Sequence, residues 1–319
     1  MQNKASGPNL EHAEAFLASF KKGAERLKDN DQDLTDRYIK NMTVFSQFMP
    51  HIYEELKDYR PKKRFIYMEE SGELNLFRED IGFPLFSENP KSQAQDKIEY
   101  VLSHPTKTFL NLERSLNNES RHVFFSNKIL DEIEVQSEGL EKQVEWPQFV
   151  GAAIVFGIEL GYQLELLLSK RDIKHLYLYE SDLDLFHYSL YSIDWQDILE
   201  TCNRDGRTIH FFLGVQPEEF TDTYLLQLQE NGYFLAPETY LFMGYNSPEN
   251  DKAFDYFKKH YVRQVMGWGF FDDALIGIAQ GLRSLPKTKV AHFQGRDVLP
   301  KWVTDIPVFI LGNGPSLDQ

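Results

Sequence analysis

The chain has 319 residues, 42% hydrophobic and 26% charged, with 34 basic against 49 acidic side chains and a formal net charge of −15. That length suggests two or three domains, with enough apolar content to bury a core. So acidic a surface repels phosphate backbones, which argues against a nucleic-acid partner. The single cysteine, Cys202, excludes an internal disulfide and fits a reducing compartment. No stretch approaches the roughly 20 apolar residues of a spanning helix, and the first residues lack the apolar core of a secretion signal. A cytoplasmic protein with no membrane partner is expected.

Apolar residues recur at helical spacing from Glu11 to Leu27 and again from Gln32 to Leu56, where Ile39, Met42, Phe45, Phe48 and Ile52 share a face. Two amphipathic helices are predicted over 1–58. At Arg60 the texture changes. RFIYMEESGELNLFRED reads as two strands joined at Glu70-Ser71-Gly72, and QDKIEYVLSHP is a helix stopped by Pro105. KTFLNLE and HVFFSNKIL alternate like strands, so 59–145 is expected to be a small α+β region.

From Gln148 the apolar runs lengthen. FVGAAIVFG, IKHLYLYE and TIHFFLG read as buried strands, separated by the helical patterns IELGYQLELLLSK and LDLFHYSLYSI. Strands alternating with helices at this spacing imply a parallel sheet. The segment YFLAPETYLFMGY is less regular, and helices are expected over about 250–260 and 272–283. The fold class is α/β: a helical N-terminus and a small α+β region, then a Rossmann-like parallel-sheet domain over 146–286. A new strand, Ile306 to Leu311, and its turn, Gly312 to Ser316, open a further unit over 287–319.

Two glycine turns follow predicted strands. Gly157 and Gly161 form G-x-x-x-G after the first strand of the parallel unit. Glu180 ends the next strand, 180 − 161 = 19 residues on, near the spacing at which an acid accepts ribose hydroxyls. The pattern is not G-x-G-x-x-G, and Glu159 places a negative charge where a pyrophosphate would lie. Three readings stay open: close strand–helix packing, a nucleotide or adenosylmethionine site, and another acidic pocket. Asp182 and Asp184 suit a helix start better than a metal site. The histidines, among them His175, His187 and His210, have no ligand spacing, so no metal is expected.

In the second turn Gly312 allows a tight bend and Asn313 offers an amide that donates and accepts. Gly314 lets the backbone close on a ligand, Pro315 suits a first helical turn, and Ser316 adds a hydroxyl. Ordinary capping and a nucleotide seat are both compatible with these residues.

PVFILGNGPSLD resembles the strand and loop that open the catalytic domain of bacterial motility accessory factors, the flagellin glycosyltransferases built on the DUF115 domain. Gly157 to Leu168, Tyr179 to Phe186 and Ser192 to Trp195 resemble the N-terminal region of the same family. The resemblance implies transfer of a CMP-activated nonulosonic acid, of pseudaminic or legionaminic type, to Ser or Thr of flagellin. It also implies that Asn313 contacts the nucleotide, within a turn shaped by Gly312, Gly314 and Ser316. The CMP-sugar is then a substrate, flagellin the acceptor partner, and no cofactor is called for. The resemblance further implies that only the last dozen residues belong to the catalytic domain. The remainder, with the acceptor base, would lie beyond Gln319, and the fragment alone would be inactive. Two rivals remain. The 146–286 domain is itself a nucleotide- or adenosylmethionine-binding, methyltransferase-like module, or the fragment is a non-catalytic flagellin-docking domain. Oligomerisation is left open.

Overall fold

The computed structural model describes residues 10–62, 66–78, 83–108, 114, 121–139, 144–231, 238–266 and 271–284. The chain begins with helices α1 (Leu10–Asp29), α2 (Asp31–Phe48) and α3 (Pro50–Leu56). The single helix expected over Gln32 to Leu56 is two. Pro50 lacks an amide donor and pushes the preceding residue out of the helical region, and Met49 sits at φ −137°, ψ 64°. A three-stranded antiparallel sheet follows, of β1 (Ile66–Met68), β2 (Leu74–Arg78) and β3 (Phe83–Pro84) in that order. Its first turn is the expected Glu70-Ser71-Gly72, with Gly72 at φ +91°.

Next come α4 (Pro90–Ser103), β4 (Thr106–Lys107) and α5 (Arg121–Gln136). The strand expected at HVFFSNKIL is therefore helical. Its alternation also satisfies a helix, with Phe125, Ile129 and Ile133 four residues apart, and residues 121–136 contain no glycine or proline to interrupt it.

The larger sheet contains β5 (Phe149–Phe156), β6 (Asp172–Glu180), β7 (Thr208–Leu213) and β8 (Thr239–Met243). Between them lie α6 (Tyr162–Lys170), α7 (Leu183–Ser192), α8 (Trp195–Cys202) and α9 (Pro217–Asn231); α10 (Pro248–Met266) and α11 (Phe271–Ser284) follow. The strand order is β4-β8-β5-β6-β7. All pairings are parallel except that of β4, which runs antiparallel on β8. The parallel strands thus run 3-2-1-4 from β7 to β8, the Rossmann half-sheet order, with the reversal between β5 and β8. The irregular YFLAPETYLFMGY contributes β8, a strand whose residues Tyr240 to Phe242 are all buried.

Both faces of β5 are covered, which explains its unbroken apolar run. Ala153 and Val155 join the core shared with α2, α4, α6, α7 and α8, while Ala152, Ile154 and Phe156 join the core shared with α9 and α10. The N-terminal helices are part of the first core. Asn41 on α2 is fully buried. Its amide donates to the Leu190 and Ile193 carbonyls at 2.8 and 2.9 Å and accepts from the Trp195 amide at 3.0 Å. Phe45 packs edge-on against Phe186, Trp195 and Phe211.

Chain contacts divide the protein into one unit of Met1–Arg114 with Ile129–Trp268 and a second of Ser115–Lys128 with Gly269–Gln319. All strands of both sheets belong to the first. Among the described residues, no helix is long and apolar enough to cross a membrane.

Candidate functional site at the carboxyl edge of the parallel sheet

In open α/β sheets, ligands bind outside the carboxyl ends of the strands where the strand order reverses. Here that point lies between β5 and β8, and Gly157 and Gly161 are on the loop leaving β5. Both have left-handed backbones, at φ +84° and +91°. Gly161 precedes α6, and its amide donates to the Ile158 carbonyl at 2.8 Å. A Cβ on Gly161 would lie 2.3 Å from Ile193, and one on Gly157 would lie 2.5 Å from both Asn250 and Tyr245. Both glycines are needed for close packing within the chain.

Glu180, at the end of β6, is fully buried. Its Oε2 accepts from the Ile158 amide at 2.9 Å. Its Oε1 accepts from the Asp182 amide at 2.9 Å and from the Tyr245 hydroxyl at 2.6 Å. The Asn250 amide in turn donates to the Tyr245 carbonyl at 3.1 Å. The structure thus brings Gly157, Gly161 and Glu180 together and adds Tyr245 and Asn250. In this geometry the Glu180 carboxylate is committed to donors from the chain itself, and a ribose hydroxyl would have to displace Tyr245. Burial pushes the Glu180 carboxyl up to about 7, outweighing these donors.

Glu159 is the other acid of the loop. It holds a left-handed backbone at φ +52°, unusual for a residue with a side chain. It is buried 3.7 Å from Lys97 of α4, and burial pushes its carboxyl up to about 7 against that cation. Protonation of Glu159 is therefore coupled to folding. Its folded pKa lies above the ordinary value of 4.5. Its stabilising contribution is complete below pH 4.5 and is lost as pH rises through 7, for on the order of 3 kcal/mol at pH 8. Glu159→Gln is expected to raise the melting temperature at pH 8 and to leave it nearly unchanged at pH 5. An equal effect at both pH values in a thermal-melt series would contradict this.

One polar group at the reversal point is unsatisfied. Gln163, in the first turn of α6, is 1% exposed, and neither its amide nitrogen nor its amide oxygen has a partner among the described residues. Its Nε2 lies 2.9 Å from where a Cβ on Gly244 would stand. A cavity of about 240 Å³ opens nearby, bordered by Arg78, Ser181, Asp182, Tyr245, Ser247 and Glu249.

The acids after β6 have local duties. Asp182 caps α7 by accepting from the Asp184 amide, and Asp184 accepts from the Tyr59 hydroxyl at 2.6 Å and the Lys62 amide at 3.1 Å. Among the described residues, no group of three His, Cys, Asp or Glu side chains could hold a metal. Cys202 is buried, and burial pushes its thiol up to about 11. Gly312, Asn313, Gly314 and Ser316 lie outside the described residues.

The sequence reading missed Tyr245, Asn250 and Gln163. Their one local signal is that Gly244 and Tyr245 directly follow a buried strand.

Three comparisons with known proteins complete the picture. Residues 37–266 match the family model of the glycosyltransferase Maf N-terminal domain. Among solved structures, the fold is similar to that of the Maf glycosyltransferase from Magnetospirillum magneticum AMB-1, with a TM-score of 0.58 and 21% sequence identity. The similarity covers 75% of this chain and 37% of that one, so the chain spans little more than a third of that protein's length. No curated protein matches the chain. With the family match running from α2 to the end of α10, the chain belongs to the Maf glycosyltransferase N-terminal domain family.

Proposed function

We propose that the chain is the N-terminal part of a cytoplasmic glycosyltransferase that transfers a CMP-activated nonulosonic acid, of pseudaminic or legionaminic type, to Ser or Thr of flagellin. The observation that carries this reading is the sequence G-N-G-P-S-L-D at residues 312–318, in a chain whose residues 37–266 match the Maf domain. In the transfer, the acceptor hydroxyl oxygen bonds to the anomeric carbon and the bond from that carbon to the CMP phosphate oxygen breaks. CMP leaves with the electron pair, and a general base takes the hydroxyl proton. Gly312 and Gly314 let the backbone amides approach the nucleotide, Asn313 pairs with it, and Ser316 donates to its phosphate. The Rossmann-like domain supports this centre or receives flagellin.

Asn313→Ala in the full-length protein is expected to weaken CMP binding by about tenfold or more, the loss of one or two polar contacts to a charged ligand. Calorimetric titration reads this directly, and an unchanged affinity would remove Asn313 from the site.

A second reading has one observation in its favour: the unpartnered Gln163 amide at the strand-order reversal. It makes Gly157, Gly161 and Glu180 a nucleotide or adenosylmethionine site within the 146–286 domain. The Tyr245–Glu180 bond opposes it, because a ligand there must first break a buried 2.6 Å contact.

A further inference from the structure

A second cavity, of about 450 Å³, lies where α1, α2 and the segment after α3 meet α7. Its walls are unusually aromatic. The Tyr38 and Tyr191 rings stack 4.7 Å apart, and the His187 ring lies 5.7 Å from Tyr38, 5.7 Å from Tyr59 and 5.6 Å from Tyr191. Arg60 and Asp31 bring the two charges at its lining, and both are exposed.

His187 is the unexplained member of this group. It is 5% exposed, yet its Nδ1 has no hydrogen-bond partner among the described residues. Burial holds its pKa below the ordinary value, which favours the neutral ring. A neutral imidazole has one donor and one acceptor nitrogen. A buried one with an open nitrogen needs a partner to offset its desolvation. A hydroxyl serves either tautomer, since it both donates and accepts. Tyrosine and histidine each combine an apolar ring with a polar tip, which matches a sugar, with its apolar C–H faces and hydroxyl edges. Arg60 donates to the Tyr59 carbonyl at 3.1 Å, and a guanidinium has five N–H donors, so others remain to meet a carboxylate in its fork. Asp31 offers a carboxylate to sugar hydroxyls. Asp184 is already engaged by Tyr59 and Lys62. In a chain of net charge −15, an anionic ligand needs such a local cation.

We propose that this cavity is a carbohydrate-binding site that seats a pyranose ring bearing a carboxylate. Tyr38 and Tyr191 contact the ring, Arg60 pairs with the carboxylate, and His187 Nδ1 bonds a hydroxyl. The site would hold free sugar, or sugar already attached to an acceptor. The choice of a sugar acid rests on the proposed function, but the observations on His187 and Arg60 do not.

The test is titration of the 319-residue chain with N-acetylneuraminic acid, N-acetylmannosamine and CMP, followed by saturation-transfer NMR. The acid is expected to bind with a millimolar or tighter Kd. Arg60→Gln, at an exposed position, should weaken the acid about tenfold and leave the neutral sugar unchanged. His187→Phe keeps the aromatic packing and should weaken both sugars about fivefold. Circular dichroism of each variant establishes that it is folded. No binding of the acid by the wild-type chain, equal binding by both folded variants, or binding of CMP in place of the acid with loss in these variants would overturn the proposal. Failure of Asn313→Ala to affect CMP binding would sink the nucleotide assignment and leave this result standing, because the two readouts share no residue.

Discussion

Gly244→Ala is expected to unfold the Rossmann-like domain or come close to it. A Cβ at this position would stand 1.7 Å from the Gly157 carbonyl oxygen and 2.7 Å from its carbon. Both are backbone atoms, so no side-chain rotation relieves the clash. Nor can the backbone retreat easily. The Gly244 amide donates to the Phe156 carbonyl at 2.8 Å, and the Gly157 amide to the Tyr179 carbonyl at 2.7 Å, which holds β8, β5 and β6 in register. Relief requires moving one strand end, at a cost above the usual ~1–3 kcal/mol of overpacking, on the order of 4 kcal/mol or more. Gly72→Ala is the control. Gly72 has no atom within 4 Å of a built Cβ, and only its φ of +91° opposes a side chain, for about 1 kcal/mol. Urea denaturation followed by far-ultraviolet circular dichroism separates the two. Equal midpoints for both variants would contradict the account of the β5–β8 junction.

Glu180→Ala is the second large effect. It strips the Ile158 amide, the Asp182 amide and the Tyr245 hydroxyl of their shared acceptor in a fully buried place. Each buried donor left unsatisfied costs about 1–3 kcal/mol, partly offset because a buried polar group is also removed. A net loss of about 3 kcal/mol is expected near pH 5. The loss should shrink with rising pH. The Glu180 carboxyl is raised to about 7 in the fold, above its ordinary 4.5. Its contribution is therefore complete below pH 4.5 and is withdrawn as pH climbs through 7. Chemical denaturation of both proteins at pH 5 and pH 8 measures this. A variant that loses more at pH 8 than at pH 5 would reverse the sign and refute the role assigned to burial.

Much of the sheet was legible in the sequence because a strand covered on both faces must be apolar throughout. FVGAAIVF, DIKHLYLYE and TIHFFL became β5, β6 and β7, and the hairpin turn at Gly72 followed from its glycine. Periodicity reports that a residue is covered, not what covers it. For that reason β8 was not separated from its surroundings, and α5 was expected as a strand, since an alternating apolar pattern over nine residues fits both periods. The break at Pro50 was legible in principle from the proline, but the helical pattern continues across it.

The candidate site divides the same way. The spacing of Gly157, Gly161 and Glu180 placed them together, because it follows from strand and helix lengths. Tyr245 as the partner of Glu180 was not legible, as it lies 65 residues away, just past a strand whose pairing no local pattern encodes. The aromatic cavity around His187 was hidden for the same reason. Tyr38, Tyr59 and Tyr191 come from three separate segments, and His187 looks in sequence like an ordinary helix residue.

The central claim is transfer of a sugar from CMP to flagellin. Its most direct test is to incubate the full-length protein with flagellin and a CMP-nonulosonate radiolabelled in the sugar, then count label in the washed flagellin band and CMP released to solution. The account predicts label on Ser or Thr residues, matched mole for mole by CMP, and little of either with Asn313→Ala. Flagellin that stays unlabelled while the folded enzyme and donor are both present would contradict it.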